Sequence, residues 1–218
     1  MAYGISAAVN SGLFETVVVS SDDPEIGRVA QHYGAQFVQR PGELATDSAK
    51  SIDAVLHAID TLAQRGIEPD NICQLFPNCP LVTRQDVLAT HEMFRGGGRL
   101  FQISVVTYRC VHPEWAMIRD AEQRGEWLFG ERYVIRSQEL SRTFCPTGAV
   151  WWACRTALLQ QKTFYGKPFH LAEVDANRGV DIDDPQDLEM ADVLVRGLTS
   201  RDGVSPLEQL GSSYFQRG

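Results

Sequence analysis

The sequence predicts an α/β domain built on a doubly wound, mostly parallel sheet, with a small β-rich insertion. Three observations carry that expectation. Short apolar runs alternate with helix-period segments from the N-terminus to about residue 107 and again after residue 173. The run Thr16-Val17-Val18-Val19-Ser20 is apolar without alternation, as a strand covered on both faces must be. The chain of 218 residues, 44% of them hydrophobic, is long enough to fill the core of one such domain.

The elements follow in order. Residues 2–11 read as a helix that stops at Gly12, and 16–20 as the first strand. Ser21-Asp22-Asp23-Pro24 opens a helix through about Tyr33, with Gly34 as its stop, because an acidic cap followed by proline suits a first turn. A short strand at 37–39 leads into a loop over 40–47 and a helix over 48–65. Strand 71–76 runs into the proline-bracketed turn Pro77-Asn78-Cys79-Pro80, and a helix over 83–95 ends at Gly96-Gly97-Gly98. Strand 100–107 follows.

Residues 108–172 break the rhythm and gather Trp115, Trp127, Phe129, Tyr133, Trp151, Trp152 and Phe164. They are expected to form an inserted arm with its own β character, flanked by a core of 1–107 and 173–198 and followed by a loose tail, 199–218. Exposed aromatics on such an arm suit self-association. The alternative is that they pack the arm onto its own domain.

Charge and cysteine content exclude several classes. A net charge of −8 argues against a nucleic-acid-binding surface, where a basic excess is expected. Cys73, Cys79, Cys110, Cys145 and Cys154 show neither a zinc spacing nor a disulfide framework. With no apolar run of membrane-spanning length and no leader-like start, the chain reads as cytoplasmic.

The most informative stretch is Gly179-Val180-Asp181-Ile182-Asp183-Asp184-Pro185. If it is extended, Asp181 and Asp183 share one face, and two carboxylates at a strand end suit a hard cation such as Mg²⁺. The alternative is that these acids only cap the following helix, and for Asp184 capping is the reading.

Several segments together resemble the acylneuraminate cytidylyltransferase family, whose fold is of the nucleotide-diphospho-sugar transferase type. They are Ser11-Gly12-Leu13-Phe14 through Asp23, Arg40-Pro41-Gly42-Glu43-Leu44-Ala45-Thr46-Asp47, Leu75-Phe76-Pro77-Asn78-Cys79-Pro80-Leu81, Arg136-Ser137-Gln138-Glu139-Leu140, Cys145-Pro146-Thr147-Gly148-Ala149-Val150-Trp151 and Val180-Asp181-Ile182-Asp183. The resemblance implies transfer of CMP from CTP to a nonulosonic acid with release of pyrophosphate, in a homodimer joined by the arm. It assigns Asp181 and Asp183 to catalysis and to Mg²⁺, Arg40, Ala49 and Ser51 to the nucleotide, and Leu75, Phe76, Arg136 and Gln138 to the sugar. On the residues alone Arg40 reads equally well as a loop ion pair, and Ser51 reads better as an ordinary helix position. Cys79 reads as a small structural residue.

The sequence departs from the family at sugar contacts. Phe76 stands where Gln is common, Trp115 where Lys is, Cys145 where Arg is and Thr147 where Asn is. These changes remove polar and cationic groups, so a legionaminic- or pseudaminic-like acid fits at least as well as N-acetylneuraminate. The family also begins with a strand and a Gly-rich phosphate loop not found in these 218 residues. Weak CTP binding by the chain as given is therefore expected. Two other readings follow: a non-catalytic dimerising homologue, or a transferase of the same fold acting on a sugar phosphate, against which residues 136–151 argue.

Overall fold

The computed structural model describes residues 1–108 and 111–202. Helix α1 (Ala2–Ser11) stops where Gly12 takes a left-handed φ of 68°. Strand β1 (Val18–Ser21), helix α2 (Pro24–His32) and strand β2 (Gln36–Gln39) follow as a parallel unit, with Asp23 capping α2 through the Glu25 N–H at 2.7 Å. Then come α3 (Ser51–Ala63), β3 (Asn71–Gln74), α4 (Arg84–Arg95) and β4 (Phe101–Thr107). A hairpin of β5 (Met117–Arg119) and β6 (Gly125–Trp127) precedes β7 (Phe144–Pro146), β8 (Trp151–Cys154), α5 (Arg155–Gln161), β9 (Phe169–Glu173) and α6 (Pro185–Asp202).

The α/β class and doubly wound arrangement stand. Side chains of β3 and β8 alternate between two cores. Ile72, Trp151 and Ala153 meet α3 and α5 residues such as Ile59 and Leu158, while Cys73 and Trp152 meet α1 and α4 residues such as Ala7 and Val87. Helices therefore cover both faces. In the larger sheet, β4 pairs parallel with β9, and β3 runs in the same direction through its antiparallel neighbour β8; β7 also opposes β4. Fully buried Phe101, Ile103 and Leu158 centre this core, each worth about 1.5–3 kcal/mol of burial.

The sheet is broken in one place. Among the described residues β1 pairs only with β2, and β3 only with β8, so a two-stranded and a five-stranded sheet lie side by side. Between them is a cavity of about 560 Å³ lined by β1, β3, α1 and α3.

Four expectations need correction. The separate arm is narrower than 108–172, because β7, β8 and β9 belong to the main sheet; the detached hairpin pairs only β5 with β6. Strand pairing, invisible in local composition, decides this. Trp115 and Trp127 are half-buried, and Trp127 stacks on Tyr133 with ring centroids 4.5 Å apart, so the arm packs these aromatics internally. Residues 180–183 form no strand, because their backbone partners are loops; Ile182 N–H donates to the Asn78 carbonyl at 2.9 Å. The last helix continues to Asp202, past the expected limit of 198. Cys110 and the tail beyond 202 lie outside the described residues.

Candidate active site

Two cavities meet at Phe76, which lines both. The smaller, about 250 Å³, is bounded by Phe76, Asn78, Thr147, Trp151, Tyr165 and Asp181, and Gly148 forms its floor.

A bulge builds that floor. Residues 147–150 separate β7 from β8 on the same side of β4, and fully buried Ser104 staples the interruption. Its hydroxyl donates to the Thr147 carbonyl at 2.8 Å and accepts from the Val150 N–H at 3.0 Å, while Trp151 Nε1 donates to the same Thr147 carbonyl at 2.7 Å. Thr147 and Gly148 are thereby held against the loop of Phe76 to Cys79, whose Phe76 N–H donates to the Gly148 carbonyl at 3.0 Å. Glycine is required by this approach: a Cβ at 148 would sit 2.9 Å from Phe76 and 3.0 Å from Cys79 Sγ.

Asp181 reaches the same place from the other side. Its Oδ1 accepts from the Cys79 thiol, from Thr147 Oγ1 at 3.4 Å and from the Gly148 N–H at 3.4 Å. Burial, and then the bond to Asp181, hold the Cys79 thiol protonated well above the usual thiol range, so it serves as a donor and not as a nucleophile. Asp183 is exposed and its Oδ1 accepts from Asn78 Nδ2 at 3.2 Å. The two carboxylates are thus addressed by consecutive residues of one loop. Asp184 is a cap, accepting from the N–H groups of Gln186 and Asp187 at 2.7 and 2.9 Å.

The donor set suits a hard cation. Among the described residues, all recorded bonds to Asp181 and Asp183 side chains fall on Oδ1, which leaves each Oδ2 for a metal. No group of three His, Cys, Asp or Glu side chains assembles a complete cage among these residues. Mg²⁺ needs none, because it retains waters and substrate phosphates on one or two carboxylates.

The larger cavity holds Arg40, Ser51, Leu75 and Phe76. Arg40 extends the β2 ladder, donating its N–H to the Ser21 carbonyl at 2.9 Å, and its side-chain Nε is buried without a partner. Ser51 is the first residue of α3, which begins with no side-chain cap because Lys50 occupies that position. The open amides of that turn favour an anionic neighbour. Leu75 and Phe76 are not in β3, which ends at Gln74; they start the loop.

Three expected site residues are not brought in. Ala49 lines neither cavity, and its N–H is already donated to the Thr46 carbonyl at 2.9 Å. Arg136 and Gln138 are exposed on the arm and line neither cavity of this chain. Conversely, the structure adds Thr147, Gly148, Trp151 and Tyr165, together with Arg178 and Asp86, which hold the Asp181 segment in place. A glycine inside a strand-like run was the available signal for the bulge; nothing local marked Tyr165 or the Arg178 partner.

A cytidylyltransferase family profile matches residues 1–109. Pseudaminic acid cytidylyltransferase of Campylobacter jejuni is 32% identical over 199 residues, covering 90% of this chain and 84% of that protein. The chain belongs to the cytidylyltransferase family. N-acylneuraminate cytidylyltransferase of Escherichia coli is 30% identical over 193 residues, spanning 88% of this chain and 44% of that protein. Among solved structures, CMP:2-keto-3-deoxy-manno-octonic acid synthetase complexed with CTP superposes with a TM-score of 0.57 at 16% identity, covering 91% of this chain and 88% of that one. The two share a fold. Among the described residues, no helix is long and apolar enough to cross a membrane.

Proposed function

We propose that this cytidylyltransferase transfers CMP from CTP to a nonulosonic acid. The observation that carries the reading is Phe76, a single wall with Arg40 and Ser51 on one side and Asp181 on the other. The nucleotide lies on the Arg40 side and the sugar on the Asp181 side. The sugar's anomeric hydroxyl oxygen bonds to the α-phosphorus, the bond from that phosphorus to the α,β-bridging oxygen breaks, and pyrophosphate leaves as the hydroxyl proton passes to water. Catalysis of this kind depends on positioning and charge neutralisation. Asp181 and Asp183 would hold Mg²⁺, which supplies neutralisation of the phosphate charge when bound.

The sugar-side pocket sets three aromatic rings beside the polar side chains of Asn78, Thr147 and Asp181. Phe76, Trp151 and Tyr165 form its walls, and Trp151 packs edge-on against the other two at 5.1 and 5.2 Å. Such walls suit acyl or methyl substituents, which favours a pseudaminic- or legionaminic-type acid over N-acetylneuraminate. The protein acts as a homodimer through the arm, whose Ile118, Leu128 and Phe129 are about half exposed at 50%, 52% and 47%. The test is pyrophosphate release and CMP-sugar formation from CTP, Mg²⁺ and each of the three acids, using the 218-residue chain. CTP-dependent product with one of these acids supports the reading; no product with any of them overturns it.

A further inference from the structure

Two consecutive residues of the loop after β3 grip three consecutive residues of the segment before α6. The Cys79 thiol donates to Asp181 Oδ1, the Asn78 carbonyl accepts from the Ile182 N–H at 2.9 Å, and the Asn78 side-chain amide donates to Asp183 Oδ1 at 3.2 Å. The backbone bond is enough to stitch loop to segment. The two side-chain bonds do something further, because each falls on one oxygen of a different carboxylate.

We propose that Asn78 and Cys79 are positioning residues for the divalent cation, Cys79 holding the carboxylate of Asp181 and Asn78 that of Asp183, each by its Oδ1, so that the second oxygen of each is kept for the metal.

These roles rest on the reading of Asp181 and Asp183 as the carboxylates that hold Mg²⁺. A donor bound to one oxygen fixes the plane of a carboxylate and leaves it a single oxygen to give. That mode suits an octahedral ion that shares its shell with waters and phosphates.

Cys79 is the rigid member of the pair. Its side chain is 1% exposed, and its N–H donates to the Phe76 carbonyl at 3.2 Å. The sulfur also packs on Gly148, where a Cβ would lie 3.0 Å from it. A side chain so enclosed cannot swing away from Asp181. Of the three donors to Asp181 Oδ1 the thiol is the nearest, the Thr147 hydroxyl and the Gly148 N–H both standing at 3.4 Å. Thr147 has one hydroxyl proton, and the Gly179 carbonyl is closer to it at 3.1 Å. The thiol is therefore the principal donor.

Asn78 works at the exposed carboxylate. Its Nδ2 faces Asp183, since a carboxylate accepts and does not donate, and its Oδ1 lies 3.9 Å from the Cys79 sulfur. A bond between an amide and an exposed carboxylate adds little to stability. What it fixes is the direction of that carboxylate.

The test uses Mn²⁺ as the probe, with free ion followed by electron paramagnetic resonance and no nucleotide or sugar present. The parent is compared with Cys79→Ser, Cys79→Ala, Asn78→Ala and Asp183→Asn. Serine and alanine both lose the bulk of the sulfur, so packing changes affect them alike and their unfolding midpoints should agree; only serine keeps a donor. The Mn²⁺ Kd is expected to rise about 10–100-fold in Cys79→Ala and Asn78→Ala, with Cys79→Ser staying near the parent. Equal affinity in the parent and both alanine variants, or equal loss in Cys79→Ser and Cys79→Ala, overturns the proposal and leaves the metal reading standing, provided that Asp183→Asn still binds more weakly than the parent. A loss in only one of the alanine variants removes the other residue from the role. Absence of Mn²⁺ binding by the parent overturns the metal reading and the proposal with it.

Discussion

Arg178 clasps Asp86 across 92 positions of sequence, with Nε and Nη2 bonded to its two carboxylate oxygens at 2.9 and 2.8 Å. Asp86 is buried and is also the third residue of the capping box of α4, where its carboxylate accepts from the Thr83 N–H at 3.0 Å and the Thr83 hydroxyl at 2.7 Å. One carboxylate therefore anchors the start of α4 and the segment that carries Asp181. Arg178→Met leaves Asp86 buried with its helix cap but no cation. The expected loss is about 3 kcal/mol, read from the midpoint of denaturant unfolding, with a larger fall in turnover than Arg178→Lys, which keeps the charge but not the paired geometry.

Gly148→Ala tests the close approach of the bulge to the Phe76 loop. The added methyl meets Phe76 at 2.9 Å near its backbone, where neither partner moves easily. A loss of about 1–3 kcal/mol in stability is expected, with a rise in KM for the sugar and little change in KM for CTP. Unchanged stability would mean that the two loops are not held as described.

Asp181→Asn and Asp183→Asn separate holding a metal from holding the fold. Both are expected to lower turnover at least ~100-fold, and chelation of divalent ions should abolish it in the parent. Circular dichroism and the unfolding midpoint should stay near the parent values for Asp183→Asn, because that carboxylate is exposed and, among the described residues, accepts only from Asn78. Near-normal turnover in the Asp183 variant would remove it from the metal site.

The arm predicts an oligomeric state. Since Trp127 is stacked within the arm, the contact must use the outward side chains, and Ile118→Asp with Phe129→Asp should shift sedimentation from dimer to monomer. Replacing Trp127 should instead loosen the arm itself. A parent chain that sediments as a monomer at micromolar concentration would overturn the dimer.

The sequence by itself determined the periodic elements and their caps. Gly12 stopping α1, Asp23 and Pro24 opening α2, Thr83 with Asp86 opening α4 and Asp184 with Pro185 opening α6 all depend on interactions within a few residues, so composition reports them. Family resemblance singled out Arg40, Ser51, Phe76 and Asp181, and the structure shows that each lines a cavity. Tertiary structure decided what depends on pairing at a distance. Residues 180–183 look like a strand, yet their partners are Asn78, Cys79 and Thr147, so they are a stitched loop. Strands β7, β8 and β9 look like part of an arm, yet they complete the sheet around β4. The neighbours of Tyr165 and Arg178, and the gap between β1 and β3, likewise exist only once distant segments are brought together. Periodicity shows that a segment has an apolar face, but not which other segment will cover it.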